Sequence, residues 1–141
     1  MILAAALFGF ALLLPAPASA ITVCPNMEYS VTFEASSGDM TDLSRETIEV
    51  SMERARPCGP SIVIVLRSYS ADPQLAVSRA HVVHAALMRQ RGAEMVTESR
   101  IVSCLVAGEA ERVAVTMYLI FPGLPAQPIQ TACAPGSVPG G

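Results

Sequence analysis

Few side chains in this sequence stand where they could do chemistry. His81 and His84 are three residues apart, a spacing that puts two imidazoles near one side of a helix, as metal ligands sometimes are. No carboxylate or thiol accompanies them locally, so one reads as a polar-face residue and the other as a helix-edge residue. Glu46, Glu49 and Glu53 recur at helical spacing, but Arg45, Arg54 and Arg56 lie among them. Ion pairs along a solvated helix face explain that pattern better than acid–base work. The four cysteines, Cys24, Cys58, Cys104 and Cys133, are separated by 34, 46 and 29 residues. Metal sites and thioredoxin-type redox pairs need closely spaced thiols, and the sequence has no Cys-x-x-Cys. Two structural disulfides in an oxidising compartment are expected instead, with three connectivities open. Lipidation signals want a small residue before the cysteine, and Val23 precedes Cys24, which speaks against a lipid anchor there. No Gly-rich phosphate loop, Gly-x-Ser-x-Gly elbow or His-Glu-x-x-His is present. Without a nucleophile–base constellation an enzyme is not expected, and the residues imply no cofactor and no metal.

The chain that must position these groups has 141 residues, 52% hydrophobic and 15% charged, with a net charge of -3. Its mean hydropathy of +0.47 looks membrane-like until the first twenty residues are set aside. Ile2 to Leu14 is an unbroken apolar or glycine run, closed by Pro15, Pro17 and Ala18-Ser19-Ala20. That is the form of a secretory signal peptide, residues 1–20, and it is shorter than the roughly 20 apolar residues needed to span a bilayer. Met1-Ile2-Leu3 lacks the usual positive charge. The mature chain, from about Ile21, is expected to form one domain that does not span the membrane. The negative charge and scattered cations, all nine of them arginine, exclude a polybasic nucleic-acid binder.

Tyr29, Val31 and Phe33 alternate with polar residues, the period of a half-buried first strand. After the Ser36–Asp39 turn, Thr41 is placed to cap a helix running to about Arg56. Its apolar stripe is poor: Ile48, Met52 and Ala55 share a face with Ser44, Thr47 and Ser51, while Val50 points elsewhere. Ile62 to Leu66 is a continuous apolar run suited to a central strand. Asp72-Pro73 predicts a cap and first-turn proline for a second helix to about Arg91, with Leu75, Ala80, Val83 and Leu87 inside and Gly92 ending it. Ile101–Val106 and Val113–Phe121 are two further strands, linked through Gly108-Glu109-Ala110-Glu111. Residues 122–141 hold five prolines, four glycines and no charge, and are expected to be a loop-like tail stapled by Cys133. The fold class is therefore α+β, a β-α-β-α-β-β two-layer sandwich with a mixed four-stranded sheet and two helices on one face. Helical crossovers make the first three strands parallel, and the short last link allows an antiparallel fourth.

Four segments resemble the OmpA-like peptidoglycan-binding domain family. Val31-Thr32-Phe33-Glu34 with Ser37 and Met40-Thr41 is similar to its opening strand and helix entry. Leu66-Arg67-Ser68-Tyr69-Ser70-Ala71 stands where the family has its Val-x-Gly-His-Thr-Asp loop. Leu75 to Ala80, with Val83 and Leu87, resembles its second helix, and Ser99-Arg100-Ile101 and Arg112-Val113 resemble the entries to its last two strands. The likeness covers residues 29–121, most of a domain spanning 21–121. It implies strand order 1-4-2-3, with the strand carrying Glu28 and Glu34 at an edge. That layout also brings Cys24 to Cys58 and leaves Cys104 for Cys133.

The resemblance implies a site as well. In the family, an Asp of that loop and an Arg of the second helix clamp a diaminopimelate unit of the peptidoglycan stem, and Arg suits a carboxylate because it binds in a bidentate way. Arg79 stands at the Arg position, with Asp72, Tyr69 and Ser70 as the neighbouring ligand-binding candidates. The family's Asp position is Ala71 here, Ser68 replaces the loop Gly, and the segment from Ala71 to Arg79 is shorter. Asp72 is also the expected helix cap. Two functions follow. One is non-covalent peptidoglycan binding by a periplasmic protein, outer-membrane or cell-wall associated, in a Gram-negative type envelope. The other is a degenerate scaffold without glycan binding, whose partner is an envelope protein.

Overall fold

The computed structural model describes residues 24–59, 61–106 and 111–140. The expected signal peptide and most of the link after the third strand lie outside them. Strand β1 (Met27–Val31) leads into helix α1 (Asp42–Ala55), a short 3-10 turn (Arg56–Cys58) and strand β2 (Ser61–Ser70). Helix α2 (Pro73–Met88) and a second 3-10 turn (Ala93–Met95) then precede strands β3 (Val96–Leu105), β4 (Arg112–Ile120) and β5 (Val138–Pro139). The sheet order is β1-β4-β2-β3-β5. β2 and β3 are parallel, while β4 runs antiparallel to both β1 and β2, so β1, β2 and β3 share one direction as expected.

Both helices begin where the sequence places a cap. The Thr41 hydroxyl accepts from Ser44 N–H, and the Asp72 carboxylate accepts from Gln74 and Leu75 N–H. Such caps satisfy amides that a helix start otherwise leaves without partners. Helix α2 stops at Met88, three residues short of the expected Arg91. The chain then turns through Gly92 at φ 94°, where a side chain would be strained and a Cβ would approach the Met95 methyl to 3.0 Å.

The helices lie on one face of the sheet. Ile48 and Met52 of α1 and Val83 and Leu87 of α2 meet Ile62, Ile64, Leu66, Val113, Val115 and Met117, all buried. The expectations miss the other face. Residues 122–140 do not hang as a loop: they form β5 against Cys104 and Leu105 and run as a strap over the second sheet surface. Ile129 packs against Val63, Val65 and Tyr118, and Cys133 and Ala134 pack against Tyr69 and Ala114. The sheet therefore has five strands, and β2 is a ten-residue strand covered on both sides. Covering both sides is why its sequence does not alternate.

Two disulfides staple the chain, Cys24–Cys58 and Cys104–Cys133, with Cα separations of 5.6 and 5.8 Å. This is the pairing that the implied layout favoured. No helix among the described residues is long and apolar enough to cross a membrane.

Candidate functional site

The segment expected to be a binding loop, Leu66 to Ala71, is strand almost throughout, because β2 continues to Ser70. Successive side chains of a strand point to opposite faces. Ser70 accordingly faces the helices, while Tyr69 faces the strap. There its hydroxyl accepts from Ala134 N–H at 3.0 Å, and the Arg112 guanidinium lies 4.5 Å from its ring centre. Of the four candidate residues, the fold brings Arg79 and Ser70 together and puts Tyr69 on the other side of the sheet. Asp72 is adjacent to Ser70, but its carboxylate is turned into the start of α2.

Arg79 lies between the sheet and the β1–α1 loop, only 2% exposed. Its Nε donates to the Ser37 carbonyl at 2.9 Å, and its guanidinium carbon lies 4.9 Å from the Phe33 ring centre. Ser36, beside that carbonyl, takes a φ of 54°, uncommon outside glycine, and the turn it makes delivers the Ser37 oxygen. The remaining partner is the carboxylate of Glu111, which accepts from Arg79 Nη1 at 2.7 Å.

Glu111 is held from both sides. Its second oxygen accepts from the Ser70 hydroxyl at 2.9 Å and from Ala71 N–H at 3.4 Å. The Ser70 oxygen in turn accepts from Asp72 N–H at 3.2 Å, which fixes the hydroxyl between strand and helix. The Arg79 hydrogen bond, followed by that of Ser70, holds the Glu111 carboxyl below the usual carboxylate range. With its side chain one-third exposed, Glu111 forms the solvent side of the pair, and Arg79 the interior side.

Three members of this constellation, Glu111, Ser37 and Phe33, were not marked as site residues by the sequence. Glu111 reaches the site through the strand register, which spacing along the chain does not encode. Tyr69 pairs with Arg112 across β2 and β4, so the residue before Arg112 falls beside Ser70. The arrangement can neutralise a buried cation and recognise a carboxylate. Elsewhere, His84 Nε2 lies 3.1 Å from the Ser99 hydroxyl, and no group of three or more metal-ligating side chains occurs among the described residues. Glu53 pairs with Arg56, as the helix spacing suggested, whereas Arg45 pairs with Asp42. The chain matches no family model and no curated protein with which it was compared.

Proposed function

We propose that this chain is an exported, disulfide-stapled domain of OmpA-like type that has given up peptidoglycan binding and works as a protein-interaction module of the periplasm. The observation that carries this reading is the Glu111 carboxylate seated on Arg79. An arginine that is 2% exposed and already bonded to an internal carboxylate has no bidentate face to offer a ligand. Asp72 supplies no second half of a clamp, since helix capping occupies its carboxylate. Two disulfides fit an oxidising, extracytoplasmic location. The test is sedimentation of the oxidised protein with purified peptidoglycan sacculi, and the expected result is that the protein stays in the supernatant.

A specific observation favours the other reading, of a periplasmic peptidoglycan binder associated with the outer membrane or wall. Arg79, the Ser70 hydroxyl and Ala71 N–H converge on one carboxylate, and a stem-peptide carboxylate would suit the same donors if Glu111 swung out. Sedimentation with sacculi that free diaminopimelate reverses would establish that reading and overturn ours.

A further inference from the structure

Helix α1 carries apolar residues on more than its buried side. Ile48, Met52 and Ala55 enter the core, but Leu43 and Val50, two turns apart on another face, are 72% and 40% exposed. Their stripe runs beside the free edge of β1, and between them lies a groove of about 510 Å³. Tyr29 forms part of its wall, with its hydroxyl 2.8 Å from that of Ser51. This accounts for Val50, which lies off the core stripe of α1: with Leu43 it lines the groove instead.

The edge of β1 is built to receive a strand. Leu119 N–H of β4 donates toward β1, to the Asn26 side chain. Odd-numbered β4 residues therefore face β1, and their partners Met27, Tyr29 and Val31 turn their main chain toward β4. Glu28 and Ser30, between them, present N–H and C=O outward. At the next outward position the edge closes, because Thr32 N–H donates to the Ser44 hydroxyl and its carbonyl accepts from Thr41 N–H. Two residues thus offer a short ladder with a defined end.

Charge selects the occupant. Seven of the twelve carboxylates, but three of the nine arginines, fall between residues 24 and 59. Arg45 and Arg56 are already paired with Asp42 and Glu53. Arg54 lines the groove together with Glu28 and Glu46, so the lining carries two carboxylates to one guanidinium. No ion pair among the described residues engages Glu28 or Glu46. A second copy of this chain would bring acidic surfaces together. A strand added beside β1 would put alternate side chains on the helix side, against Leu43, Val50 and Tyr29, and the others on the side of Glu28. We infer that this groove binds an extended segment of a partner protein, apolar at alternate residues and cationic between them, by adding it as a strand to the edge of β1. This rests on the reading of the domain as a protein-interaction module and names the chemistry of its partner.

The test uses the oxidised, ¹⁵N-labelled protein and blocked seven-residue peptides. One alternates valine with lysine, one valine with glutamate, and a third is the lysine peptide with alternate peptide nitrogens methylated. The lysine peptide is expected to shift and protect the Glu28 and Ser30 amides. It should bind at least about tenfold more tightly than the glutamate peptide, about 1.4 kcal/mol. Methylation should abolish binding, and Val50→Lys, a substitution at an exposed position, should weaken it at least fivefold with the remaining spectrum unchanged. Unmoved edge amides, equal binding of the glutamate peptide, or binding that survives methylation would overturn the proposal. So would edge amides already protected in a self-associated protein, which would make a second copy the occupant. Sedimentation with sacculi would overturn the interaction-module reading; silent edge amides without sedimentation would overturn the groove alone.

Discussion

Arg79 and Arg67 are both buried, at 2% and 8% exposure, but they lie on opposite faces of one sheet and meet different partners. On the helix side, Arg79 has a carboxylate, Glu111, and a single main-chain oxygen. On the strap side, Arg67 donates to the Thr116 hydroxyl at 2.8 Å and to the Gln130 carbonyl, both neutral. The difference follows what each face needs. Apolar side chains from two helices close the helix side, so its arginine has only to be neutralised. The strap packs Ile129, Cys133 and Ala134 against its face of the sheet and is also held by polar groups reaching its main chain. Arg67 is one of these, together with the Tyr118 hydroxyl at Gln130 N–H and the Tyr69 hydroxyl at Ala134 N–H. One arginine balances charge within the body of the domain; the other fastens a late segment of the chain onto it.

The largest expected effect tests the fastening. Replacing Cys104 and Cys133 together by serine should cost about 3.5 kcal/mol, because the bridge closes a loop 29 residues long. Hydrogen exchange should then quicken at the Gln130 and Ala134 amides well before it does at Val115. Uniform quickening would mean that strap and body open together, and the contrast between the faces would fail. Next is Glu111→Gln, which leaves Arg79 buried without its counter-charge. Complete burial of a broken pair would cost about 3–5 kcal/mol; with Glu111 one-third exposed, about 2 kcal/mol is expected in chemical denaturation. This loss should depend on pH. The Glu111 carboxyl titrates below its unfolded value, so its contribution is present above the ordinary carboxylate pKa and disappears as pH falls through the depressed folded value. Denaturation of wild type and variant should converge in acid, and a constant gap would remove the ion pair from the account. The smallest effect is expected for Arg67→Met, about 1 kcal/mol. Two hydrogen bonds are lost, but a buried charge goes with them and the methionine refills the volume of the stem. Exchange at Gln130 should report it more clearly than global stability.

Much of the fold was legible because single residues dictate local geometry. Thr41 and Asp72-Pro73 mark helix starts by hydrogen-bonding capacity and fixed φ, and Ile62 to Leu66 marks a central strand by its lack of alternation. The strap was not legible, since proline and glycine hide element boundaries and Ile129 alone hardly announces a buried surface. Yet a strand apolar on both faces requires two covers, and the uncharged residues 122–140 were what the sequence had left to supply the second. The site was legible only in part. Arg79 was singled out only through the resemblance to the OmpA-like family's second helix, whereas its partner Glu111 sits beside it through a strand register that spacing along the chain does not encode. Tyr69 was grouped with Ser70 because they adjoin in sequence, and the pleat of β2 separates them.

The placement of the two disulfides has a mechanical consequence. Cys58 lies where β2 begins and Cys104 where parallel β3 ends, and each is bridged to a cysteine nearer its own chain terminus. Tension applied to the ends of the chain would therefore bypass β1, α1, β4 and the strap as far as Cys133 and, once β5 is peeled away, pull β2 and β3 in opposite senses along their common axis. Their ladder bonds would share that load in shear instead of opening one by one from an end. Between the two bridges only the 46 residues from Cys58 to Cys104 could pay out, limiting the extension of that part to roughly 150–165 Å however large the tension.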